Sequence, residues 1–315
     1  MKPKNFNLQV NEEHLFRLQE QKLAFLRERT TRLAYVKVDG ERQAIVPVLS
    51  YRCFDTYDEI VTGFSTRLGG VSKDYLGSMN LSFTRGDEPQ RVMENHRRFA
   101  KAVGYDYSKL VFSDQVHDTK IRIVTEEDAG KGIVRNRDFS GIDGLVTDVP
   151  GIPLMTFYAD CVPLFFYDPV KRVVATAHSG WRGTVAGIGT KMIETMQENY
   201  GSKPENIVCA IGPSICRDCY EVSEDVAEAF RAVYTEDETA SILTDKKDGK
   251  YQLDLHGACY YNFLKAGVLP SHIALPDLCT CCNKEMFFSH RATNGKRGNL
   301  GAVIMLKEEN DREKM

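Results

Sequence analysis

No stretch of the 315 residues stays apolar for the roughly 20 positions that a membrane-spanning helix needs, so no membrane partner is expected. Residues Met1 to Val10 lack the apolar core of a secretory signal. Neither sign of charge is in excess: 41 Lys and Arg face 44 Asp and Glu, for a net charge of −3. That balance gives no general attraction to a polyanion, and no nucleic acid is expected as a partner. Histidine is scarce, at 7 residues with no His-x-His pair, which is a poor supply for a multicentre copper oxidase. Tryptophan occurs once, at Trp181. The 9 cysteines are an odd number in a long chain without secretory features, which reads as reduced thiols in a cytoplasmic protein. Taken alone, Cys279, Cys281 and Cys282 do not form the two-knuckle pattern of a zinc ribbon, and they are assigned to packing.

What is present is the apolar content of an ordinary globular chain, 42 %. Residues 11–29 set Leu15, Leu18, Leu23 and Phe25–Leu26 among charges and predict an amphipathic helix. Two strands follow around Asp39–Gly40, a hairpin signal. Together these make an N-terminal extension over residues 1–45, ahead of a single catalytic domain over 46–310. Within it, "IPLMTFYAD", "VPLFFYD", "RVVATAH" and "NIVCAIG" read as strands. "VAGIGTKMIETMQENYG" puts Val185, Ile188, Met192, Ile193 and Met196 on one helical face and stops at Gly201. Ser223 and Asp254 are placed as N-caps of two further helices, the second ending at Gly267. His256 and Cys259 share a face of that helix and are read as packing. Tight hairpins beside helices predict an α+β fold of layered mixed β-sheets flanked by helices.

One hairpin carries chemistry. Asp168-Pro169-Val170-Lys171 has the signature of a type I turn. If Asp168 pairs with Lys171, then Cys161 faces His178 directly across the two strands, with both side chains on one face. A thiolate and an imidazole held so close can ligate a borderline metal, or act as nucleophile and base. Two ligands do not complete a catalytic zinc site, and His117 in "SDQVHDTKIRIV" is the best third.

The motifs "FSTRLGGVS", "DQVH", "GIDGLVT", "YADCVPL", "HSGWRGT", "IGPSICRDCYEV" and "FFSHR" follow one another in an order that resembles the YfiH-type family of laccase-domain proteins. Members are also described as purine nucleoside phosphorylases with adenosine deaminase activity, and some as peptidoglycan editing factors. The resemblance covers about residues 50–305. It implies His117, Cys161 and His178 as metal ligands and catalytic centre, with zinc as the metal and copper as the other ion such ligands accept. It implies a fold distantly shared with cysteine deamidase toxins. It also implies a purine nucleoside and phosphate as substrates, with Arg67, Arg182, Gly183 and Arg291 as contacts. The free amides where a helix starts after Gly180–Thr184 are expected to favour an anion. Two departures are His96, where the family commonly has arginine, and the long "SHRATNGKRGN" segment, so no role is carried over to Arg297. Alternatives are a cell-wall-precursor hydrolase and a metal-free Cys161–His178 hydrolase. Nothing in the sequence calls for a second copy, and a monomer is expected.

Overall fold

The computed structural model describes residues 30–38 and 44–308. The helix expected over 11–29 and the Asp39–Gly40 turn lie outside the described residues. The strands flanking that turn are β1 (Thr31–Val38) and β2 (Ala44–Tyr51), an antiparallel pair. Next along the chain come β3 (Ile60–Ser65), helix α1 (Pro89–Val103), β4 (Val111–Phe112), β5 (Ile121–Ile123), β6 (Gly144–Thr147) and β7 (Leu154–Tyr158). The central hairpin is β8 (Val162–Asp168) and β9 (Val173–Ser179), followed by a short helix α2 (Trp181–Val185) and the longer α3 (Ile188–Tyr200). Then follow β10 (Val208–Ile211), β11 (Glu221–Ser223), α4 (Glu224–Arg231), α5 (Glu236–Ile242), β12 (Leu243–Asp245), β13 (Lys250–Leu253), α6 (Leu255–Lys265), β14 (Ile273–Ala274) and β15 (Leu300–Leu306).

Two six-stranded mixed sheets form the body, in the orders β1-β2-β3-β15-β7-β4 and β14-β10-β8-β9-β6-β5, and a small sheet β11-β13-β12 lies apart. The α+β expectation holds. Alternation along each strand explains the layering. On β8, Leu164 and Phe166 pack with the helices, while Phe165 and Tyr167 enter the core between the sheets. On β15, Ala302 and Ile304 face that same inter-sheet core, and Val303 and Met305 face α1. The order of layers is therefore α1, first sheet, second sheet, remaining helices. All seven residues of β8 are buried because both faces are covered. Truncating Phe166 to alanine would cost about 3–5 kcal/mol.

Two local expectations need correction. The run from Val185 to Tyr200 is not one helix: α2 ends at Val185, Gly187 takes φ +75°, and α3 starts at Ile188. Gly201 does terminate α3 in the left-handed conformation. The hairpin register is also different. Asp168 pairs with Val173, not Lys171, and Pro163 with His178. The Asp168 carboxylate accepts the amides of Val170 and Lys171, and Arg172 adopts φ +55°, so the loop takes four residues. The shift is two residues and the strand period is two, so Cys161 and His178 keep a common face.

A candidate metal-binding cleft

β8 and β9 are antiparallel, so the start of one and the end of the other lie at the same edge of the second sheet. Cys161 immediately precedes β8, and His178 is the penultimate residue of β9. The loop after β4 brings His117 to them. Within that loop Gln115 imitates a strand: its side-chain oxygen accepts the Phe157 amide at 2.7 Å and its nitrogen donates to the Phe157 carbonyl at 2.8 Å. The chain then turns through His117 at φ +65°. That conformation converges three successive amides, of Val116, His117 and Asp118, on the Asp143 carboxylate at 2.9–3.1 Å.

Asp143 is fully buried, and its Oδ1 also lies 2.8 Å from His178 Nδ1. One carboxylate therefore fixes both the His117 turn and the His178 ring, and leaves Nε2 of His178 to face Cys161. The two imidazole rings stand 4.8 Å apart and nearly perpendicular. Cys161 Sγ lies 3.9 Å from His117 Nε2, and one ligand atom from each of the three residues falls within 4.8 Å of the others. Gly180 forms the floor. A Cβ there would come within 2.6 Å of His117 Cδ2 and 3.3 Å of Cys161 Sγ, so any larger residue would intrude on the ligands.

The electrostatics are those of an ion pair. Burial would raise the Cys161 thiol, but His178 and His117 outweigh it and bring it down to about 6. Burial would lower His178, yet the Cys161 thiolate and Asp143 lift it to about 9. Burial likewise opposes the Asp143 charge, and the hydrogen bonds from His178 and the turn amides still hold its carboxyl below the usual range. Two imidazoles and a low-lying thiolate suit a borderline divalent metal, with a coordination position left towards solvent.

The three residues sit in a cleft of about 480 Å³ whose walls include Phe83, Phe112, Phe157, Arg85, Arg137 and Arg297. Arg137 is occupied, donating to the Ser113 carbonyl and to Asp114. Arg85 reaches only the Gly295 carbonyl, at 3.3 Å, and Arg297 bonds Asn299 and the Gly298 carbonyl. Neither forms an ion pair among the described residues, and the Arg297 Nε is buried without a partner. Burial, reinforced by the like charge of Arg85, lowers Arg297 to about 10. Two guanidinium groups that form no ion pair among the described residues stand beside a metal-type site and make an anion-attracting wall.

Sequence reasoning missed Arg85, left Arg297 without a role and left Asp143 open between a turn residue and a catalytic one. None of the residues expected at the substrate lines this cleft. Arg67 donates to the carbonyls of Gly77 and Lys284 and stacks over Phe288. Arg291 donates to the carbonyls of Cys219 and Glu221. Arg182 lies over Trp181, and Gly183 is buried within the five-residue α2. Asp160, beside Cys161, turns away from the cleft at φ +87° and accepts hydrogen bonds from Thr280, Ser289 and the Arg291 amide. His256 bonds Ser214, and Cys259 bonds Ser179, as packing residues do. His96 is buried against Phe83 and Phe112, bonded to the Leu81 carbonyl.

Comparison with known proteins gives this geometry its relatives. The model of the multi-copper polyphenol oxidoreductase laccase family matches residues 61–307. The purine nucleoside phosphorylase YlmD of Bacillus subtilis is 38 % identical over 251 residues, covering 79 % of this chain and 90 % of that protein. The adenosine deaminase RL5, from an unknown prokaryotic organism, is 33 % identical over 251 residues, covering 79 % and 95 %. The crystal structure of the Bacillus licheniformis hypothetical protein YfiH superposes with a TM-score of 0.79 at 34 % identity, covering 82 % and 96 %. No helix among the described residues is long and apolar enough to cross a membrane.

Proposed function

This chain belongs to the multi-copper polyphenol oxidoreductase laccase family, as an enzyme of it, and from that premise we propose that it cleaves purine nucleosides with phosphate and deaminates adenosine as a second activity. The observation that carries the reading is the pairing of an open His117–Cys161–His178 centre with two guanidinium groups in the same cleft that form no ion pair among the described residues. We assign zinc to the three ligands, because two imidazoles and a thiolate around a glycine floor suit its borderline softness and tetrahedral preference. When bound, the ion would supply a Lewis acid with one free coordination position.

The residues of the chain do the rest. Arg85 and Arg297 bind the anionic nucleophile and hold it against the ribose, which lowers the entropic cost of bringing two substrates together. Phe83, Phe112 and Phe157 offer apolar faces for a purine. Asp143 keeps the proton of His178 on Nδ1, so that Nε2 stays available for ligation. The free thiols suit a reducing cytosol, and every group in this scheme comes from a single chain. The test is stoichiometric: adenosine and inosine should release base with one phosphate consumed per base. Base release that ignores phosphate would overturn phosphorolysis.

A second reading rests on the Cys161–His178 ion pair, which would serve a metal-independent hydrolase equally well. It predicts activity that survives complete removal of metal and is inhibited by added zinc.

A further inference from the structure

Cys279 and Cys282, assigned to packing in the sequence, are brought by the fold against Cys216 and Cys219. Cys216-Arg217-Asp218-Cys219 follows β10, and Cys279-Thr280-Cys281-Cys282 follows β14. Each is a Cys-x-x-Cys knuckle, and the pattern becomes visible only when both segments are considered at once. A backbone bridge between Ser214 and Cys279, with the Thr280 amide donating to the Ser214 carbonyl at 3.1 Å, places the knuckles side by side. The Sγ atoms of Cys216, Cys219, Cys279 and Cys282 all fall within 4.8 Å of one another.

We propose that these four cysteines bind a second zinc ion in a closed, structural tetrathiolate site. A tetrahedral ion with Zn–S bonds near 2.3 Å requires sulfurs about 3.8 Å apart. Cys216 and Cys282 stand at 3.9 Å, and Cys219 and Cys282 at 3.4 Å. Two amides already point at one sulfur: those of Cys216 and Cys282 donate to Cys279 Sγ at 3.2 and 3.4 Å. Amide donors of this kind stabilise a thiolate over a thiol. Arg291 braces the first knuckle through the Cys219 carbonyl. Cys281, within hydrogen-bond reach of Cys219 and Ser289, stands beside the cluster and outside the group of four sulfurs. Four sulfurs complete the coordination shell, so no position is left for a substrate.

The site clamps the support of the cleft. Thr280 lies inside the second knuckle and donates to Asp160 at 2.7 Å, the Ile215 amide donates to the Asp160 carbonyl at 3.0 Å, and Cys161 is the next residue. Holding the knuckles together therefore holds the turn that presents Cys161.

The experiment is metal analysis and zinc-edge X-ray absorption on full-length protein purified without chelator, as wild type, Cys161→Ala and the double variant Cys219→Ser/Cys282→Ser. Wild type should carry two zinc ions per chain, with an averaged shell of about 2.5 sulfurs per ion from five thiolates. Cys161→Ala should retain one ion with four sulfurs near 2.3 Å. The double variant, where it folds, should lose that ion alone. A Cys161→Ala protein without zinc, a retained ion with fewer than four sulfurs, or a disulfide between Cys219 and Cys282 in the mass of the alkylated wild type would each overturn the proposal. The outcome is independent of nucleoside turnover, because Cys161→Ala removes the centre on which turnover depends.

Discussion

Two groups of soft ligands stand in this molecule, and they differ in what the chain leaves open. The cleft centre has three ligands from three separated segments, a glycine floor and a wall of guanidinium groups. The cysteine cluster has four ligands from two knuckles and no position to spare. The first is held by a carboxylate that serves two of its ligands, the second by backbone amides aimed at sulfur. An incomplete shell is a requirement for chemistry and a liability for stability; a complete one is the reverse. The lesson lies in the connection, since Asp160 ties the segment of the closed cluster to the residue that begins the open centre.

The sharpest way to break the comparison is to remove one ligand from the open side. Cys161→Ala should abolish both base release and deamination while the melting transition stays cooperative, checked by enzyme assay alongside calorimetry. Loss of folding instead would make the centre structural. Gly180→Ala comes next in size: its Cβ would meet His117 Cδ2 at 2.6 Å, so the cleft metal should be lost while the cysteine cluster keeps its ion, as read by metal analysis. Asp143→Asn should weaken metal binding by about 10–100-fold without removing a ligand, measured by competition with a chromophoric chelator. An unchanged affinity would deny Asp143 its positioning role.

Smaller effects separate the arginines. Arg85→Met or Arg297→Met should raise KM for phosphate by roughly tenfold to a hundredfold, the loss of a hydrogen bond to a charged group of about 1.5–3 kcal/mol, with metal content unchanged. A rise in the nucleoside KM instead would move these residues to the other substrate. Arg291→Ala should act mainly on stability, by about 1 kcal/mol, because its donors serve the carbonyls of Cys219 and Glu221. A selective rise in the phosphate KM would return Arg291 to the substrate, as the family resemblance implies.

How much of this was legible follows from the range of each interaction. Strands and caps depend on near neighbours, and β7 to β10 fall on the apolar, β-rich runs read as strands. The face shared by Cys161 and His178 survived an error in loop length because parity, unlike register, is unaffected by a shift of two. The single long helix after Gly180 was wrong because one glycine in the left-handed conformation ends a pattern that periodicity alone continues. Asp143 was invisible as a hub: its partners, Val116 to Asp118 and His178, lie 25 to 35 residues away and are joined only by the fold. The same holds for Cys216 and Cys279, 63 residues apart. Arg85 and Arg297 meet across an even longer span, where spacing carries no signal.

The most direct test of the open centre is a single assay. Protein stripped of metal and reloaded with zinc alone is given adenosine, with and without phosphate, while base, inosine and phosphate are followed together. The account predicts no turnover by stripped protein. After reloading, base should appear with one phosphate lost per base, and a slower yield of inosine should not depend on phosphate. Full activity in the stripped protein would contradict it and leave Cys161 and His178 working without a metal.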